Sequence, residues 1–196
     1  PLRAQIHFTM KLAADLGVMP GWISDGYTKK QKFYYFETQY VDGIPLDEFF
    51  SGLVFGEESA RDQALGQLIE ALDLFIFARI RCFDLLKTSN WKYGRIDEDD
   101  STRPWFIDPD LMERSRMSQQ ELAGEYLRLL HRDVGGNGIG RFDPEGLVAA
   151  HLEKIIAGEY DVSYPVISRL NALGYPLVES IEELETIHGK GAYGIH

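Results

Sequence analysis

Residues 79–110 read RIRCFDLLKTSNWKYGRIDEDDSTRPWFIDPD, and the fold depends on how this stretch divides. An acid, a base and an amide share one loop: Asp84, Lys87 and Asn90. Two extended pieces follow at 91–96 and 105–107, rich in aromatic and β-branched residues, with an acidic turn at 97–102 between them. Asp108 ends the second piece. The pattern predicts a hairpin whose flanking loops bring Asp84, Lys87, Asn90 and Asp108 together. Phosphoryl transfer uses such a set. One carboxylate takes the proton of an acceptor hydroxyl, a cation offsets charge on the moving group, and an amide oxygen with a second carboxylate holds the metal.

Upstream, a long helix is expected from the stripe Leu65, Leu68, Ile69, Leu72, Phe75 and Ile76, opened by a capping box of Ser59 and Asp62. Residues 32–41, KFYYFETQYV, carry the strongest strand signal, with Asp42-Gly43 expected to end it and a helix to begin within 44–50. Residues 2–16 show helical spacing with Gly17 as a stop, and 18–23 read as extended. Downstream, Ser118 and Glu121 form a capping box for a helix ending near His131. Further helices are expected at 144–157, 163–173 and 180–187. Strands and helices do not alternate as a parallel βαβ sheet requires, so the expected class is α+β. A small strand-bearing portion, 1–42, precedes a mostly helical portion, 43–196.

Composition excludes several roles. Apolar residues at 44% of 196 suffice for a core. Thirty-one acidic against 20 basic residues give a net charge of −11, which argues against a nucleic-acid partner. The single cysteine, Cys82, permits no internal disulfide and points to a reducing, cytoplasmic setting. Its expected place is the core. The longest apolar stretch, 71–80, is broken by Asp73 and Arg79 and is too short to span a bilayer. No signal peptide is visible.

The order apolar helix, D-L-L-K-T-S-N loop, strand, turn, strand, Asp resembles the C-terminal lobe of the protein-kinase-like superfamily. Upstream, YYFETQYVDGIPLDEF resembles the last strand of the small lobe, the hinge and the first helix of the large lobe. The helix at 2–16 followed by GVMPGWISDGY is similar to the regulatory helix and the strand after it. Together these cover roughly residues 2–131. The resemblance implies a catalytic Asp84 with Lys87 beside it, Asn90 and Asp108 as magnesium ligands, and a hinge at Gln39, Tyr40, Val41 and Asp42 facing the adenine of ATP. The implied activity is ATP- and Mg-dependent phosphotransfer to a hydroxyl on a protein or small molecule. A degenerate descendant serving as a catalytically silent interaction module is the alternative. The sequence departs from the family at several points. Cys82-Phe83 replaces His-Arg, the Asp-to-Asn spacing is one residue longer, Pro109-Asp110 follows Asp108, and no Gly-rich loop or strand Lys precedes the first helix. The extended loop between Asn90 and Asp108, with the weak signature before it, looks more like divergent bacterial members, such as lipopolysaccharide-core kinases and kinase-like proteins of the PhoP network.

Two further motifs compete with plainer readings. Gly189-Lys190-Gly191-Ala192-Tyr193-Gly194 is similar to a phosphate loop, and otherwise a glycine-rich terminus after a helix. His131, Gly136, Asn137, Gly138 and Arg141 partly match the Fic motif of nucleotidyl transferases, with Asp133, Gly135 and Ile139 as departures. The plainer expectation is a loop between two helices.

Overall fold

The computed structural model describes residues 2–28, 33–53, 58–96, 102–109, 112–132, 138–160 and 162–175. Most of the acidic turn expected at 97–102, the 180–187 helix and the 189–194 glycines lie outside them.

Helix α1, Leu2–Asp15, buries Met10 and Ala13 at helical spacing, and Leu16 is buried in the turn just after it. It stops as read from the sequence, because Gly17 takes a left-handed φ of +73° that any side chain would resist. Strands β1, Trp22–Thr28, and β2, Phe33–Thr38, then pair antiparallel. Gln39 closes this pair: its N–H donates to the Gly21 carbonyl at 2.8 Å, and its side-chain oxygen accepts the Gly21 N–H at 3.1 Å.

The expected strand end at Asp42-Gly43 is instead the interior of β3, Val41–Pro45. β3 pairs with β5, Trp91–Ile96, which pairs in turn with β6, Arg103–Phe106, in a three-stranded antiparallel sheet. Gly43 and Gly94 face each other across it. A Cβ on Gly43 would lie 2.4 Å from the Tyr93 carbonyl oxygen, and one on Gly94 would lie 2.3 Å from that of Asp42. The glycine that looks like a turn signal therefore serves close backbone approach. The 42/43 position falls inside this strand.

Helix α2, Leu46–Gly52, leads to α3, Glu58–Phe77. Ser59 sits inside the first turn of α3, so the expected capping box with Asp62 is not the helix start. The predicted stripe is buried, except Ile69, which is half-buried, and from Leu72 to Phe77 every residue is buried. A helix enclosed all round is a core helix. Its one acid there, Asp73, meets His151 Nε2 at 2.6 Å from α5, Leu147–Ile156. Phe106 packs edge-on against both Phe75 and Trp91, at 5.7 and 5.2 Å between ring centroids. Burying each such ring contributes about 2–3 kcal/mol.

Two three-residue strands were invisible to pattern reading: β4, Ile80–Cys82, and β7, Met112–Arg114, which pair antiparallel. Helix α4, Gln119–Arg132, lies beside them and starts at the predicted capping box. Ser118 N–H donates to Glu121 Oε2 at 2.8 Å, and Glu121 N–H donates to Ser118 Oγ at 3.2 Å. The 144–157 helix starts later than expected, at Leu147, because the Asp143 carboxylate accepts the N–H groups of Leu147 and Val148 at 2.8 Å each. Helix α6, Tyr164–Ala172, follows. Every pairing among the described strands is antiparallel, so the class is α+β. No helix of the described residues is long and apolar enough to cross a membrane.

Candidate active site

The loop between β4 and β5 is pinned from beneath. Leu85, Leu86 and Thr88 are buried, and the Trp91 indole N–H donates to the Leu85 carbonyl at 2.7 Å. At the loop's start, the Tyr126 hydroxyl of α4 donates to the Ile80 carbonyl at 2.9 Å and accepts the Cys82 N–H at 3.1 Å. This anchoring turns the polar residues outward. Asp84 and Lys87 emerge half-exposed and form an ion pair of 2.9 Å. A pair so exposed is worth about 1 kcal/mol or less, so either charge is available to a ligand.

Asn90 is buried and joins two segments. Its Nδ2 donates to the Asp84 carbonyl at 3.1 Å, and its Oδ1 accepts from Ser89 Oγ at 3.3 Å. Its backbone carbonyl accepts the Ile107 N–H at 2.9 Å. The next residue is Asp108, exposed on the turn after β6, with Pro109 buried behind it. Phe106 N–H donates to the Val18 carbonyl at 3.0 Å, fixing the same strand end from the other side.

Cys82 is buried beside the loop's start. Burial pushes its thiol up to about 12; the Asp84 and Asp108 carboxylates push the same way, while the Asp84 backbone N–H and the Lys87 ammonium oppose them. Two carboxylates and an ammonium therefore act on one buried atom. So high a value leaves almost no thiolate at neutral pH, in keeping with a core cysteine and not a nucleophile.

The segment 39–42 lies along the other end of the sheet. Val41 is buried with Ile96 and Trp105, Asp42 pairs in register with Arg95, and Tyr40 is 69% exposed with Lys92 Nζ 5.3 Å from its ring centroid. The Gln39 N–H is engaged by Gly21. β3 is an edge of its three-stranded sheet, so its outer backbone groups face away from β5.

Sequence reasoning missed several supports of the site. Arg81 forks onto the Glu125 carboxylate at 2.6–3.1 Å and reaches Glu113 at 3.1 Å, with its guanidinium 4.1 Å from the Phe83 ring centroid. The Glu125 bonds raise its already high pKa further. Gly138 bridges to Lys87, and Ile139 N–H donates to the Leu86 carbonyl at 2.8 Å. Part of the glycine-rich segment thus braces the loop. His131 is exposed in the last turn of α4, Arg141 lies 5.4 Å from the Phe142 ring centroid, and residues 133–137 are outside the described set. Tyr126 carried no signal, because an aromatic residue on an amphipathic helix reads as ordinary core.

Among the described residues, no three His, Cys, Asp or Glu side chains form a metal cage. Magnesium does not require one: it takes few protein oxygens and completes its shell with water and phosphate. Asn90 Oδ1 and the Asp108 carboxylate are hard oxygen donors of that kind. Compared with known proteins, the chain matches no family model and no curated protein.

Proposed function

We propose that this chain is a kinase-like phosphotransferase that uses ATP and Mg to phosphorylate a hydroxyl. The observation that carries the reading is the double attachment at Asn90, which ties the Asp84–Lys87 loop to the strand end bearing Asp108. In this reading the Asp84 carboxylate accepts the proton of the acceptor hydroxyl. The hydroxyl oxygen then bonds to the γ-phosphorus as the P–O bond to the β-phosphate breaks, releasing ADP. Lys87 offsets charge on the transferred group. Asn90 and Asp108 would hold Mg, which when bound supplies charge neutralisation on the phosphates.

The layout of the sheet supports the same reading. β5 begins beside Asn90 at Trp91 and ends at Ile96, opposite Val41. Its length, about 17 Å at ~3.4 Å per residue, is the scale of an extended nucleoside triphosphate. An adenine on the edge at residues 40–42 and phosphates at Asn90 and Asp108 fit one molecule.

The test is differential scanning fluorimetry with ATP, with and without Mg. At a ligand concentration near 100 Kd, binding stabilises by about 2.7 kcal/mol, an upward shift of about 5–10 °C for a chain of this size. The shift is expected to need Mg and to vanish in Asp108→Ala. No nucleotide shift at all would point to a silent interaction module. AMP incorporation that follows His131 and ignores Asp84 would point to Fic-type transfer.

A further inference from the structure

The two faces of β5 differ. Trp91 and Tyr93 pack into the main core, while Ile96 joins Val41 and Trp105 in a separate cluster. Side chains alternate along a strand, so Lys92 and Gly94 share the face of Ile96. Lys92 pairs in register with Pro45 of β3 and with Trp105 of β6. Asn90 lies two residues before Lys92, and Asp108 three residues beyond Trp105. No more than about 10 Å of extended chain therefore separates Lys92 or its strand partner from either proposed magnesium ligand.

The side chain reaches toward the nucleoside end. The Lys92 ammonium lies 5.3 Å from the centroid of the Tyr40 ring, at the edge proposed for the adenine. Between the two residues, the pair on this face is Gly43 and Gly94, which carry no side chain to obstruct the stem. Among the described residues no carboxylate pairs with Lys92, whereas Lys87 is bound to Asp84 at 2.9 Å. The Tyr40 ring is exposed, and a cation over an exposed aromatic face is held weakly. Hydrogen bonds from an ammonium to phosphate oxygens are charge-assisted and stronger. The half-buried Lys92 is thus free to exchange its ring for an anion.

From this placement we propose that Lys92 binds the phosphates nearest the nucleoside, leaving the Tyr40 ring as the base settles at residues 40–42. The inference rests on the phosphotransfer reading and gives a role to a residue which that reading leaves idle. Magnesium offsets only part of the charge of a triphosphate, and the chain itself carries a net −11, so these phosphates need a cation of their own. Lys87 serves the transferred group at the far end, and Lys92 the stretch between the metal and the nucleoside.

The experiment is isothermal titration calorimetry with Mg-ATP on the parent chain, Lys92→Met, Lys92→Arg and Lys154→Met. Lys92→Met keeps an apolar stem without the charge and is expected to weaken binding about tenfold, the effect of one lost hydrogen bond to a charged group. Lys92→Arg restores the charge and recovers the parent affinity to within about threefold. Lys154→Met removes the same charge from α5 and leaves binding unchanged. If the parent itself gives no Mg-dependent binding, the phosphotransfer reading falls and this assignment falls with it. If the parent binds and Lys92→Met binds as tightly, the assignment alone fails. It also fails if Lys92→Arg is as weak as Lys92→Met, or if Lys154→Met weakens binding as much. Should Lys92→Met not fold, Lys92→Gln is read in its place.

Discussion

The side-chain N–H of Asn90 donates to the backbone carbonyl of Asp84 at 3.1 Å, while the Asn90 carbonyl accepts the N–H of Ile107 at 2.9 Å. One buried residue thereby sets the distance between two acids that are far apart in sequence. Asn90→Asp keeps the shape but replaces the donor with an oxygen facing a carbonyl. We expect it to lower stability by about 1–3 kcal/mol in urea titration and to remove the Mg-dependent ATP shift. An unchanged urea midpoint would show that this bond does not hold the loop.

Gly94→Ala is expected to destabilise, the reverse of the usual gain when glycine is replaced by alanine. Its Cβ would sit 2.3 Å from the Asp42 carbonyl oxygen, and the obstacle is backbone, which cannot swing aside. Overpacking of this kind costs about 1–3 kcal/mol. The urea midpoints of the two chains decide the matter, and equal midpoints would rule out the β3–β5 register described.

The capping box predicts a pH dependence. The bonds from Ser118 hold the Glu121 carboxyl below its ordinary value of 4.5. A carboxyl with a depressed folded pKa stabilises fully above its unfolded value, and the contribution is lost as pH falls through the folded value. The gap in melting temperature between the parent and Glu121→Ala should stay constant from pH 7 to about 5 and narrow below 4.5. A gap that persists unaltered to about pH 3 would mean that the carboxylate does not cap α4.

What the sequence disclosed was local. The aromatic run at 33–38, the apolar stripe of α3 and the Ser118–Glu121 box are each set by residues within a few positions of one another, so their patterns survive in one dimension. Asp84, Lys87 and Asn90 were legible for the same reason: they share one loop. The strands Ile80–Cys82 and Met112–Arg114 are too short for a period-2 pattern to emerge. Gly43 read as a turn because its role depends on Gly94, which reaches it only through tertiary pairing. Tyr126 was hidden likewise, since its two backbone partners lie on a strand that was not foreseen.

Trp91 has its indole bonded to the backbone of the loop that carries Asp84 and Lys87. Its surroundings are dry, and its polar edge rests on the Leu85 carbonyl. The protein thus has a built-in optical probe at the base of its loop. Rearrangement of that loop when a nucleotide arrives would alter the emission of this ring, so stopped-flow fluorescence could time the event without an added dye.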